Sequence, residues 1–171
     1  MWTSRKYVTT PAIAVGLTLS FGLGSGAARE LVSFQDGYSA GTIVVKTTER
    51  KLYYVLGDGR AVRYPVAVGR PGKEWAGRTT IGRKEVDPVW GPPAEVKRDK
   101  PDLPDLIPPG PRNPLGPRAM LLSGTEYAIH GTNRRDSIGT RASYGCIRMY
   151  NEDIVELYER VSIGTPVVVL R

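Results

Sequence analysis

The sequence predicts a mainly β fold of one domain with one or two helices. Three observations carry this. Short apolar or alternating runs recur between turn-forming residues, a helical period appears only once, and one long stretch is too rich in proline for regular structure. The 171 residues suit a single core, and 40% hydrophobic residues is ordinary for a globular chain.

The first 28 residues read as a targeting segment. Arg5 and Lys6 precede an uncharged stretch, Tyr7 to Ala28, whose most apolar part runs from Ile13 to Leu23 and ends in Gly24-Ser25-Gly26-Ala27-Ala28. A basic start, a short apolar run and a small-residue end form a secretory signal peptide, with cleavage expected near Ala27 or Ala28. An uncleaved anchor is the rival reading, and both place the domain outside the cytoplasm, in the periplasm. Without this segment the net charge falls from +7 to +5. The basic residues are scattered and build no nucleic-acid motif, so nucleic acid is not an expected partner.

Residues 29–40 are expected to form a short linker. Thr42–Lys46 and Lys51–Leu56 then read as strands, and Gly57-Asp58-Gly59 turns the chain into a third, Ala61–Val68. Thr79–Val86 is expected to be a fourth. The stretch from Pro88 to Pro117 holds 10 of the 14 prolines and is expected to be loop, acting as a lid or groove wall. Met120–Ser123 and Glu126–His130 look like short strands, and Gly131–Gly145 like a connector. Asn151 is the expected helix N-cap, with Ile154, Leu157, Tyr158 and Val161 at helical spacing before a final strand, Pro166–Leu170.

Composition narrows the chemistry. Cys146 and His130 are the only residues of their kinds, which excludes an internal disulfide and a Cys/His zinc cluster. An unpaired thiol in an exported chain is either buried as a small apolar group or kept for its reactivity. Cys146 follows a glycine and is flanked by Arg141 and Arg148, and His130 is the one imidazole able to take its proton. Spacing alone does not bring the two together.

The segments Ala128-Ile-His-Gly-Thr-Asn133 and Ser143-Tyr-Gly-Cys-Ile-Arg-Met149, followed by Asn151-Glu-Asp-Ile154, closely resemble the L,D-transpeptidase catalytic domain of the YkuD type. That family carries a histidine-glycine pair, a spacer, then Ser/Thr-His-Gly-Cys, often continued by Ile/Val-Arg. The resemblance covers about residues 41–171, and the 16 positions from His130 to Cys146 resemble the short spacer of Gram-negative members. One position departs: Tyr144 stands where the family usually has histidine. A phenol titrates near pH 10 and does not replace an imidazole as base.

The resemblance implies a β-sandwich or barrel-like sheet and an exported acyltransferase. Its substrates would be peptidoglycan stem peptides, with a protein amine as an alternative acceptor. Cys146 would be the nucleophile and His130 the base. The Gly131 carbonyl would orient the imidazole, with Asp136 as the competing candidate. Backbone amides of Cys146 and of Gly145 or Tyr144 would face the oxyanion, and Ser143 and Arg148 would contact substrate. Ser143 has a competing role in closing the turn, and Arg148 as a solvated surface arginine or in an internal ion pair. No cofactor or metal is expected for thiol acyl transfer. An L,D-carboxypeptidase, a protein-attaching or D-amino-acid-exchanging member, and a silent peptidoglycan-binding module are the alternatives.

Overall fold

The computed structural model describes residues 29–171, so the expected signal peptide lies outside the described residues. Strand β1 (Glu30–Ser33) lies within the segment expected to be linker. It pairs antiparallel with Arg60–Arg63 at the edge of the sheet. The meander β2 (Ile43–Lys46), β3 (Lys51–Gly57) and β4 (Arg60–Pro65) forms as its sequence indicates. Asp58 and Gly59 both have positive φ in the β3–β4 turn, as a tight hairpin of right-twisted strands requires. The expected third strand divides at Pro65, and its last part becomes β5 (Val68–Gly69), which pairs elsewhere.

The apolar run in β2 is explained by burial on both sides. Ile43 and Val45 enter the main core, while Val44 joins a second cluster with Phe34, Tyr53, Val55 and Ala61. The C-terminal strand β11 (Pro166–Leu170) inserts in the middle of the sheet, parallel to β2 and antiparallel to β6 (Gly77–Val86). Strand β6 pairs with β11 through its first half and with β7 (Arg118–Leu122) through its second, with a register shift at Gly82 where it changes neighbour. Then follow β8 (Ala128–His130), β9 (Arg141–Ser143) and β10 (Ile147–Arg148).

Nine strands form one sheet in the order β1-β4-β3-β2-β11-β6-β7-β8-β10, and β5 pairs with β9 beside it. One buried cluster takes side chains from Ile43 in β2 to Ile147 in β10, so the sheet curls around a common interior. Two backbone hydrogen bonds of 2.9 Å between Ala67 and Arg148 connect the far strand to the chain just beyond β4. The architecture is therefore the barrel-like sheet expected, with two α-helices among the described residues.

Helix α1 (Ala94–Asp99) corrects the expectation of an unbroken loop. Proline density excludes helix over most of 88–117, but residues 94–100 contain none, and Pro92 and Pro93 sit ahead of the first turn, where the missing N–H costs nothing. Helix α2 (Asn151–Arg160) buries Ile154 and Leu157, matching its period. Asn151 does not cap it. Its Oδ1 accepts a 2.8 Å hydrogen bond from the Thr132 N–H instead, leaving the N-cap position to Tyr150.

The insertion is ordered by Asn113, whose buried amide donates to the carbonyls of Pro88, Ile107 and Pro108 and accepts from Leu115 N–H. A second clip joins Trp90 and Ile107 through reciprocal backbone bonds of 2.9 and 2.7 Å. Replacing Asn113 by Ala orphans these carbonyls at a cost of about 1–3 kcal/mol. Hydrogen exchange in N113A should quicken at residues 107–116, while amides of β2, β3 and β11 keep their protection.

Candidate active site

The site is built on the parallel pair β8–β10. Its register sets Ile147 beside Ile129 and Arg148 beside His130. Ile129 and Ile147 are buried in the core. Since side chains alternate along strands, His130 and Arg148 point to the opposite face, and Cys146 directly precedes β10. The same face is covered by the proline-rich insertion.

His130 is only 4% exposed, and its Nδ1 lies 2.7 Å from the Gly131 carbonyl oxygen. A carbonyl only accepts, so Nδ1 carries the proton of the neutral ring and Nε2 is left with a lone pair. Burial, reinforced by the nearby Arg148 cation, pushes the His130 pKa down to about 4; the carbonyls of Gly131 and Pro114 oppose this. Asp136 does not reach the imidazole. It is exposed and paired with Arg134 through bonds of 3.0 and 2.8 Å. Gly131 itself must lack a side chain, because a Cβ there would sit 2.5 Å from Asn151 Oδ1.

Burial raises the Cys146 thiol pKa above its ordinary value, against a backbone hydrogen bond at Ala128 and the charge of Arg148. The resting pair is thus a thiol and a neutral imidazole. The turn before the cysteine is closed by Ser143, whose hydroxyl donates to the Cys146 carbonyl at 2.6 Å and accepts from the Gly145 N–H at 3.1 Å. Ser143 is 1% exposed, so its expected place in substrate binding gives way to the turn-closing role. The Gly145 N–H is likewise committed, which moves the candidate oxyanion donors to the amides of Cys146 and Tyr144.

Two aromatic residues with no signal in the local sequence hold this turn. Trp75 Nε1 donates to the Gly145 carbonyl at 2.8 Å, and its ring stacks on Tyr127 with centroids 5.2 Å apart. Gly145 has φ +124°, and a Cβ there would collide with the Tyr127 ring. Only glycine meets both demands.

Arg148 is half-buried and forms no ion pair among the described residues. Burial and the neighbouring Arg134 lower its pKa from the usual arginine range. It lines a cavity of about 370 Å³ with Trp90, Arg112, Pro114 and Arg134. Cys146 opens into a neighbouring cavity of about 280 Å³ with Pro93, Glu95, Glu126 and Tyr127. Tyr144 and Val96 of α1 line both. Arg141 turns away to Glu74, 3.1 Å distant. Among the described residues no group of three His, Cys, Asp or Glu side chains is placed to hold a metal ion.

Two outcomes follow from this geometry. Because folded His130 resists protonation until about pH 4 while an unfolded histidine takes its proton near 6.5, unfolding gains favour as pH falls through that window. His130→Gln should remove this dependence, measured as a wild-type-minus-variant difference in unfolding free energy that changes by on the order of 3 kcal/mol between pH 6.5 and 4. Gly145→Ala should lower stability by about 1–3 kcal/mol in chemical denaturation and disorder the turn carrying Cys146, seen as a quenching change in Trp75 fluorescence.

Residues 40–169 match the family described as L,D-transpeptidase catalytic domain, YkuD. The probable L,D-transpeptidase ErfK/SrfK of Escherichia coli (strain K12) is 40% identical over 137 residues, 75% of this chain. The chain spans 43% of that protein's length. A crystal structure of a probable carnitine operon oxidoreductase from Brucella melitensis is 43% identical with a TM-score of 0.56, covering 84% of this chain and 93% of that one. L,D-transpeptidase 3 from Mycobacterium tuberculosis shares the fold at 20% identity, with a TM-score of 0.60 over 76% of this chain and 60% of its own. With its strands curled about one core, its histidine ending one strand of a parallel pair and its cysteine directly preceding the other, the chain belongs to the YkuD family of L,D-transpeptidase catalytic domains.

Proposed function

We propose that this chain is an exported, periplasmic cysteine L,D-transpeptidase acting on peptidoglycan stem peptides. The observation that carries the reading is the His130 imidazole, oriented by the Gly131 carbonyl at the end of the strand that pairs with Ile147–Arg148, the residues directly after Cys146. In the first half-reaction the sulfur of Cys146 attacks the carbonyl that joins the L-centre of a diamino acid to a terminal D-alanine. The thiol proton passes to Nε2 of His130 and then to the departing amine. A thioester forms, D-alanine leaves, and an amine from a second stem resolves the thioester into a cross-link while His130 takes up its proton. The Cys146 and Tyr144 amides would face the oxyanion, where one donor is worth about 3–4 kcal/mol.

Arg148 is the receptor for a substrate carboxylate. Its guanidinium has no carboxylate partner of its own among the described residues, faces a cavity, and stands two residues from Cys146. Insertion residues Pro93, Glu95 and Val96 line the cavity into which Cys146 opens and would restrict water there, which favours transfer over hydrolysis. No helix among the described residues is long and apolar enough to cross a membrane.

The test is incubation of a disaccharide-tetrapeptide with protein lacking residues 1–28, read by mass spectrometry. Cross-linked dimers and free D-alanine are expected from wild type and neither from Cys146→Ala. Tripeptide without dimers would reassign the chain as a carboxypeptidase, and no cysteine-dependent product would remove the enzyme reading for this substrate. Arg148→Met should raise KM about 10- to 100-fold, the scale of a lost charge-assisted hydrogen bond, with a smaller change in kcat.

A further inference from the structure

The cavity holding Cys146 and the cavity holding Arg148 are parted by two side chains, Val96 of α1 and Tyr144 of the catalytic turn. Cys146 and Arg148 stand two residues apart along the chain, at most about 7 Å, the span of one dipeptide. A donor peptide reaching from one to the other must therefore cross the line where α1 rests on Tyr144.

What holds α1 there is almost wholly polar. The helix has six residues and buries only Val96, too little for it to be helical or docked on its own account. Its two carboxylates are instead gripped from both sides. Asp99 accepts from the Tyr144 hydroxyl at 2.8 Å and from Arg70 at 2.9 Å. Glu95 faces Lys73 at 2.5 Å and Arg70 at 3.9 Å. The Arg70 guanidinium also lies 4.0 Å above the Tyr144 ring. All these groups are solvent-accessible, a regime in which single contacts are weak and screened by salt. Behind them, the Trp90–Ile107 clip pins the base of residues 91–106, and Asn113 anchors the chain beyond it. The result is a flap with a firm hinge and a polar catch.

We infer that residues 91–106 are a gate over the substrate groove and that Tyr144, through Asp99 and Arg70, is the residue that keeps it shut. At the position where the family usually has histidine, this chain carries a residue that reaches up to α1. Tyr144 is thus a positioning residue, and substrate enters when its bond to Asp99 and the Glu95 pairs are released. The inference rests on the groove between Cys146 and Arg148 being the substrate path proposed above.

The gate can be tested without turnover. Cys146 is alkylated with iodoacetamide, a neutral probe, and the rate is followed by intact mass for wild type, Asp99→Asn, Tyr144→Phe and Lys73→Gln, with hydrogen exchange recorded in parallel. Asp99→Asn and Tyr144→Phe should each speed alkylation by about five-fold, and Lys73→Gln by less. Exchange should quicken at residues 94–100 alone, and added salt should speed alkylation of wild type more than of Asp99→Asn. Where stem-peptide turnover is measured, Asp99→Asn should lower KM and leave kcat unchanged, because a larger fraction of molecules is open. Equal alkylation rates with intact protection in the sheet would overturn the gate. So would faster alkylation accompanied by exchange throughout the sheet, which would report general loosening instead. Each of these outcomes holds its meaning whether or not cross-linked products are found.

Discussion

The site depends on two strand residues, Ile147 beside Ile129. Their burial in the common core sets the register of a parallel pair only two residue pairs long, and that register decides everything on the other face. A slip of one residue would send His130 inward and Ile129 outward. Parallel strands also require a crossover, which is why the 16 positions between His130 and Cys146 cannot be a tight turn. The crossover passes through a short 3₁₀ turn at Arg135–Ser137 and then β9, whose pairing with β5 returns the chain to the sheet from the correct side. The Ala67–Arg148 bonds then close the edge that β10 would otherwise expose.

Burial is also the largest cause acting on each ionisable group of the site. It lowers His130, raises Cys146 and lowers Arg148, in each case against the charged form. Arg148 acts as a second influence with opposite consequences: its cation favours a thiolate at Cys146 and disfavours an imidazolium at His130. A substrate carboxylate on Arg148 would cancel both. Binding would then make His130 the better proton acceptor and Cys146 the weaker acid, so the two changes oppose each other in the proton transfer.

Much of this is readable from the residues. The meander, the last helix and the last strand follow from periodicity, and the His-Gly and Gly-Cys-Ile-Arg segments mark the two halves of the site. What escapes the sequence acts through space or is too short to have a period. Strands β9 and β10 have three and two residues, below the length at which alternation is visible. Trp75 reaches Gly145 across 70 positions and Tyr144 reaches Asp99 across 45, with no local pattern to announce either. Asn151 reads as a cap only because Asn usually serves there; the N–H of Thr132, 19 residues back, claims its side-chain oxygen instead. Ser143 and Gly145 show the same limit, since only the folded turn reveals that they satisfy each other.

The barrel and its insertion are stabilised by different forces, and this separates two properties of the protein. The turn carrying Cys146 is held from below by partly buried contacts: the Ser143 hydroxyl, the Trp75 indole and the Tyr127 ring against Gly145. Such contacts are costly to disturb and insensitive to salt. From above, α1 is held by carboxylates and cations in reach of water, which are individually weak and readily exchanged. Geometry at the sulfur is therefore set by the core, and access to it by the surface. Tyr144 belongs to both, with its backbone in the buried turn and its hydroxyl on Asp99. A substitution there can alter entry to the groove through its side chain while the main chain that positions Cys146 remains tied to Gly145 and Ser143.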